Sequence, residues 1–293
     1  MALYELIEQP DLDEPLLVLA VDGWIDAGLG AATAAEVLSD QLDTITVARF
    51  STDELLDYRA RRPIAHLENG IMRGLTWPSL ELRAATDLDG NELLLLAGAE
   101  PDRLWQQFTD EVVGLALDFG VRMCVGLGAY PFASPHTRSP RIACTASTPS
   151  LADRGFLRAT LDFPGGIQAA VEQGCDERGI PSVGLWAQIP HYLPPAMPFP
   201  AGSVALIEAL ERVGELSLPR GDLPTRADVT RSRLDELIAQ NSEHVAMLRQ
   251  LEAAHEEGEP PAPQSFAPDD LPSGDELVAE LEQFLRDQRR GEA

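Results

Sequence analysis

The chain of 293 residues contains no lysine: all 22 of its basic residues are arginine, set against 48 aspartates and glutamates. That absence excludes Schiff-base chemistry, a P-loop, and the phosphate-gripping lysines of ATP-dependent ligases. A formal charge of -26 also disfavours binding to phosphate backbones, so nucleic acid is not an expected partner. Cysteine is scarce as well. Cys124, Cys144 and Cys175 are odd in number, too widely spaced for a zinc motif, and each lies in or beside an apolar segment. They read as reduced core thiols. The five histidines show no H-x-x-x-H spacing, so neither a metal nor a cofactor is expected. No apolar run reaches membrane-spanning length, and "MALYELIEQPDLDEPLL" lacks a basic segment followed by an apolar one. The expectation is a cytoplasmic protein without a membrane partner.

What is present is a chain able to bury a large core, with 44% hydrophobic residues. "PLLVLAVDGW" reads as a buried strand over Leu16 to Val21, "AGLGAATAAEVLSDQL" as a glycine-started helix, and "TITVARF" as the next strand. Strand, helix and strand at this spacing predict a βαβ unit and the start of a parallel sheet. Asn69-Gly70 in "PIAHLENGIMRG" predicts a hairpin, and Asp89-Gly90 joins two further strands, so the middle of the chain makes the sheet mixed. "EPDRLWQQFTDEVVGLALDFG" reads as a helix with Pro101 in its first turn. The strands "VRMCVGLG", "RIACTAS" and "PSVGLWAQIP" follow, with a helix at "FPGGIQAAVEQGCDERG" and another from about Ser203, which serves as its cap. Alternation of this kind makes residues 1–220 one α/β domain.

Beyond it the character changes. Residues 221–293 are acidic and predict a helical hairpin: one long amphipathic helix over 227–257, a proline-rich linker at about 258–273, and a shorter helix at "DELVAELEQFLRDQ". The long helix carries an apolar stripe interrupted by Asn241, which suits a helix contact of fixed register. That stripe is too long to leave exposed, so it packs either on the α/β domain of its own chain or on a neighbouring subunit; a closed homo-oligomer, a trimer, is expected.

Two stretches follow strands and so fall where open α/β sheets place ligands. In "VDGWIDAGLGAA", Asp22, Trp24 and Asp26 precede a helix whose free N–H groups suit an anion, although Thr33 breaks the G-x-G-x-x-G pattern. The alternative is that Trp24 wedges the strand end while Asp26 caps the helix. In "AYPFASPHTRSPR", three prolines frame His136, Thr137 and Arg138 and stiffen their presentation. His136 and Arg138 with Asp22 or Asp26 would form a polar cluster fit for proton transfer and for holding a carboxylate or phosphate. The alternative is an ion pair that only stabilises the loop. A third loop, "HYLPPAMPFP", brings His191 and Tyr192 as a lid or wall. No nucleophile elbow exists, since Ser203 lies in "AGSVA", and no complete catalytic signature is found.

The stretches "DGWIDAG", "AGAEPDRLWQQF", "GLGAYPFASPHTRSPR", "FPGGIQAAV" and "VGLWAQIPHYL" together resemble the proteasome assembly chaperone 2 family in its bacterial, actinobacterial-looking branch. The likeness spans most of Leu16 to Leu210. It implies a three-layer αβα fold of the phosphorylase or hydrolase kind, with a mixed, mostly parallel sheet, and a protein that binds proteins rather than turning over substrate. Proteasome subunits are among the partners so implied. Dedicated proteasome chaperones of the family commonly end in a hydrophobic–tyrosine–any tail. This chain closes on "DQRRGEA", with no tyrosine after Tyr192, so docking through such a tail is not expected. The competing expectation is a small-molecule binder or a hydrolase- or phosphorylase-like enzyme using the Asp, His and Arg groups of the sheet edge.

Overall fold

The computed structural model describes residues 2–23, 25–194 and 197–257. The first compact unit is drawn from Met1–Ala159 and Gly165–Glu259. Of the second unit only Thr160–Pro164 is described, and it is irregular. The expected linker and terminal helix lie outside the described residues, as does Trp24.

The first unit begins with a short strand, β1 (Tyr4–Leu6), and then the apolar run β2 (Leu16–Asp22). A 3₁₀ turn at Ala27–Leu29 leads into α1 (Gly30–Gln41), followed by β3 (Thr44–Phe50) and the single turn α2 (Thr52–Leu55). Next come β4 (Ile64–Glu68), β5 (Ile71–Thr76), β6 (Leu80–Thr86), β7 (Glu92–Ala99), α3 (Trp105–Asp118) and β8 (Met123–Phe132). The series continues with β9 (Ile142–Ala146), the one-turn α4 (Pro149–Ala152), α5 (Ile167–Glu177), β10 (Ser182–Pro190) and α6 (Pro200–Gly214). It closes on α7 (Leu223–Ala239) and α8 (Ser242–Glu257).

Eight strands form one mixed sheet in the order β1-β3-β6-β7-β2-β8-β10-β9, while β4 and β5 pair only with each other. The neighbours β7, β2, β8 and β10 are mutually parallel, and β1, β6 and β9 join antiparallel. These central strands are apolar at consecutive positions because both of their faces are covered. Leu16, Val18 and Ala20 of β2 pack with α1 and α6, whereas Leu17, Leu19 and Val21 pack with α3 and α5. The result is the three-layer αβα sandwich with a mixed sheet that the family resemblance implies.

Several local expectations are corrected. The β2–α1–β3 crossover does return the chain in the same direction, but β3 lies beyond β7 and β6 rather than beside β2. The apolar hairpin β6–β7 takes the intervening places because "LLLL" of β7 needs cover on both faces. Helix α3 starts at Trp105, after Leu104 in a left-handed conformation, so Pro101 precedes it. Helix α6 starts at Pro200 rather than at a Ser203 cap; Ser203 is buried inside it. The single long helix expected over 227–257 is two helices. Asn241 sits in the break, and its side-chain oxygen accepts the N–H of Glu243 at 2.9 Å, capping α8 instead of setting a register within a stripe. Leu234 buries α7 in the same core that α1 and α6 share, and Ile238 is buried as well, so this part of the stripe is covered within one chain.

Candidate functional site

The register of β8 and β10 brings the two later loops together. Cys124 pairs with Ser182 and Phe132 with Pro190, so the proline-framed loop and the His191-Tyr192 loop leave the sheet side by side. The N–H of His191 donates to the Phe132 carbonyl at 2.9 Å and pins the second loop to the first. The turn after β2 opens at the same edge, where Asp26 forms a parallel bridge with Ala129 of β8.

His136 is the centre of the arrangement, with its side chain fully buried. Its backbone N–H donates to the Tyr192 hydroxyl at 2.8 Å, and its Nδ1 lies 2.7 Å from that same hydroxyl. Its Nε2 lies 3.1 Å from Oδ1 of Asp235 on α7. One arrangement of protons satisfies all three contacts: the phenol donates to Nδ1, accepts from the backbone, and Nε2–H donates to the carboxylate. Burial holds the imidazole below the ordinary histidine range, against the pull of Asp235, so the ring is kept neutral as this network requires. Burial also pushes the Tyr192 phenol up to about 12, so it retains the proton it donates.

Thr137 and Arg138 face α8. The Thr137 hydroxyl donates to Oε1 of Glu252 at 2.5 Å, and Arg138 reaches Glu252 at 3.3 Å and Glu256 at 2.7 Å. Arg141 donates to the His255 carbonyl. The loop is therefore gripped along its length by the two C-terminal helices. His191 stays exposed, with its ring edge-on to Tyr192 at 5.6 Å.

Asp26 is engaged in a different way. Its carboxylate accepts the N–H groups of Ala31 at 2.8 Å and Ala32 at 3.0 Å, closing the start of α1. The tight approach depends on Gly28, which has φ of +62° and would place a Cβ 2.8 Å from the Cβ of Phe199. Burial raises the Asp26 carboxyl above its usual range while these N–H bonds oppose the shift. The neighbouring Asp22 carboxyl is also raised, by burial first and by the Asp26 charge second. Glu100, at the end of β7, closes α5 in the same manner by accepting the Ile167 N–H at 2.8 Å. The anion-attracting starts of α1 and α5 are thus both filled by carboxylates of this chain.

The clustering expected from sequence is met only in part. Asp22 and Asp26 sit together, and His136, Thr137, Arg138, His191 and Tyr192 gather at the same sheet edge. The carboxylate that meets His136, however, is Asp235 and not Asp26, because α7 reaches the loop first. Asp235, Glu252, Glu256 and Glu100 escaped the sequence reading. The spacing of Glu252 and Glu256 on one helix face was the only signal, and it is common to any solvated helix.

An αβα layer architecture whose edge loops bond to the chain itself defines a class of fold rather than a reaction. The PAC2 family profile matches residues 20–238, and the chain belongs to that family. A Mycobacterium tuberculosis protein of unknown function is similar at 35% identity and a TM-score of 0.82, over 87% of this chain and 91% of that one. The M. tuberculosis proteasome-assembly chaperone homologue shares 30% identity at a TM-score of 0.72, over 80% of this chain and 99% of its own. A PAC2 family protein from Streptomyces avermitilis matches at 31% identity and 0.72 over the same shares. No match was found among curated proteins.

Proposed function

We propose that the protein is a non-enzymatic interaction or assembly factor acting on protein partners; one relative carries the name of a proteasome-assembly chaperone homologue, which makes proteasome subunits the first partners to test. The observation that carries this reading is the filled sheet edge. His136, Asp26 and Glu100 each spend their polar atoms on internal bonds, and Arg138 and Thr137 are held by Glu252. A hydrolase or phosphorylase needs such groups turned toward an open pocket. In this reading residues 1–220 are the working body. Within the appended segment 221–293, helices α7 and α8 strap the proline-framed loop, and three unpaired cysteines suit a cytoplasmic setting. No helix among the described residues is long and apolar enough to cross a membrane.

The test is affinity capture of partners from native cytoplasm, with full-length protein and with a chain cut after Pro219. Proteasome subunits or other assembly clients should be retained by the full chain, in amounts that change when the strap is removed. Capture of nothing but metabolite-handling enzymes would sink the proposal. ATP should give no binding heat in calorimetry, because both helix starts are occupied by carboxylates and the chain carries -26; micromolar affinity would contradict it. The protein is further read as a closed homo-oligomer, a trimer, and light scattering that finds only monomer at micromolar concentration would remove that part.

A further inference from the structure

The first strand leaves one side of its backbone unused. β1 stands at the end of the eight-stranded sheet and pairs only with β3. The Ser51 N–H donates to the Leu3 carbonyl at 2.7 Å, and the Ile7 N–H donates to the Val47 carbonyl at 2.8 Å. Bonded pairs alternate along an antiparallel ladder. The N–H and C=O groups of Tyr4 and Leu6, which fall between those pairs, therefore point away from the sheet. Leu6 and Ile7 are 45% and 40% exposed at this edge. An open edge of this kind can take up a further strand.

Beside the edge lies a cleft of one sign. From β1 the chain runs into residues 9–12, which with the end of α3 border a cleft of about 430 Å³. Asp11 and Asp118 line it together with the apolar Pro10, Leu12 and Phe119. The last turn of α3 holds no basic residue, so the negative end of its dipole adds to the two carboxylates. The same field reaches Tyr4, whose phenol is raised by burial first and then by Glu111 and Asp118. The first 15 residues carry Glu5, Glu8, Asp11, Asp13 and Glu14 with no arginine. Among the described residues Glu8, Asp11 and Asp118 have no ion pair, and Arg49, opposite Glu5 on β3, is held by Glu81 at 2.9 Å. Two copies of this edge set against each other would bring acid onto acid. A guest that suits it carries cations on a backbone still free to bond. Every second side chain of a strand points to one face, so a basic one can enter the cleft while the main chain meets Tyr4 and Leu6.

We infer that the β1 edge and its cleft receive an extended basic segment of a different protein, which adds a strand to the sheet and sets a lysine or arginine between Asp11 and Asp118. This rests on the reading of the chain as a protein-interaction factor, and names a surface and the chemistry of its partner.

The probe is a fluorescein-labelled peptide of about ten residues alternating lysine with valine, titrated onto the full chain and followed by anisotropy. It should bind, more weakly at high salt. Two control peptides separate charge from strand pairing: one has glutamate for lysine, the other keeps its lysines but is N-methylated at alternate backbone positions. Each should bind roughly tenfold more weakly or worse. Leu6→Pro removes an N–H that β3 does not use, a place where edge strands accept proline, and should weaken binding of the lysine peptide by a similar factor. Asp11→Asn with Asp118→Asn should do the same with the thermal midpoint nearly unchanged, because both side chains are exposed. Equal affinity for the N-methylated peptide, or equal affinity of both variants and the wild type, would reduce the binding to attraction of a polycation by a chain of -26 and overturn the proposal. A Leu6→Pro chain that changes its sedimentation rather than its peptide affinity would assign the edge to a second copy and overturn it too. The same variant in the capture experiment separates this surface from the wider reading. Partners retained undiminished would remove the surface alone, whereas peptide binding with no protein captured would remove the reading alone.

Discussion

Glu172→Gln is expected to raise the thermal midpoint at pH 8 by several degrees and to change it little at pH 5. Glu172 lies on α5 against the sheet. Its Oε1 accepts from the Gln168 amide at 2.8 Å and its Oε2 from the Thr145 hydroxyl at 3.3 Å. No cation is among the causes of its shift: burial pushes the carboxyl up to about 7, and those two neutral donors only partly oppose it. The bare backbone of Gly184 makes room for the group; a Cβ there would sit 2.8 Å from its Oε1. A raised carboxyl favours the fold while protonated. Its contribution is therefore complete below about 4.5 and is lost as pH rises through about 7. Ionising it in place costs on the order of 3 kcal/mol, most of which an uncharged amide of the same shape avoids. For a domain of this size that corresponds to roughly 4–10 °C. Equal stabilisation at both pH values, or none at pH 8, would show that the carboxyl is not titrating where its burial places it.

The second large effect is expected from His136→Ala, a loss of about 2–4 kcal/mol. The substitution empties a fully buried position and strips the Tyr192 hydroxyl of its acceptor. It also frees Asp235 from the loop. Amide exchange in α7 and α8 should quicken in step, because the ring is the buried link between the proline-framed loop and the strap. The sign with pH follows from the depressed imidazole. The fold favours the neutral ring, so its contribution is present above about 6.5 and is lost as pH falls through the lower folded value. The groups facing the ring are Tyr192, Asp235, Arg231 and Glu252, of which only Asp235 and Glu252 favour its protonation. The variant should therefore lose stability mainly at neutral pH and lie closer to the wild type near pH 5. Unchanged exchange in α7 and α8 would show that the strap is held without this residue.

These two positions were unequally visible beforehand. His136 stands out through its prolines, because Pro135 and Pro140 stiffen a polar triplet after an apolar strand, which suits a site and a structural corner alike. Glu172 gives no sign, sitting in "AAVEQGCDE" like any exposed helical glutamate. Only the packing of α5 across Gly126 and Gly184 shows its carboxylate to lie against the sheet, with the residue partly buried. The hairpin turn at Asn69-Gly70 was legible from its dipeptide, yet nothing local says that β4 and β5 would stay out of the main sheet.

The sequence by itself determined an α/β domain, the strands β2, β3 and β6 to β10, and the edge at which the polar loops emerge. Those features follow from runs of apolar residues and from glycine, proline and Asn-Gly punctuation, which act over a few residues and survive in any context. Tertiary structure alone decided the order of the strands, the break of the long helix at Asn241, and the partner of His136. Which carboxylate a buried imidazole meets depends on where a helix about a hundred residues later comes to rest. Asp26 was spent on the start of α1, and Asp235 took the place that a shared sheet edge had suggested for it, because α7 buries Leu234 against the core.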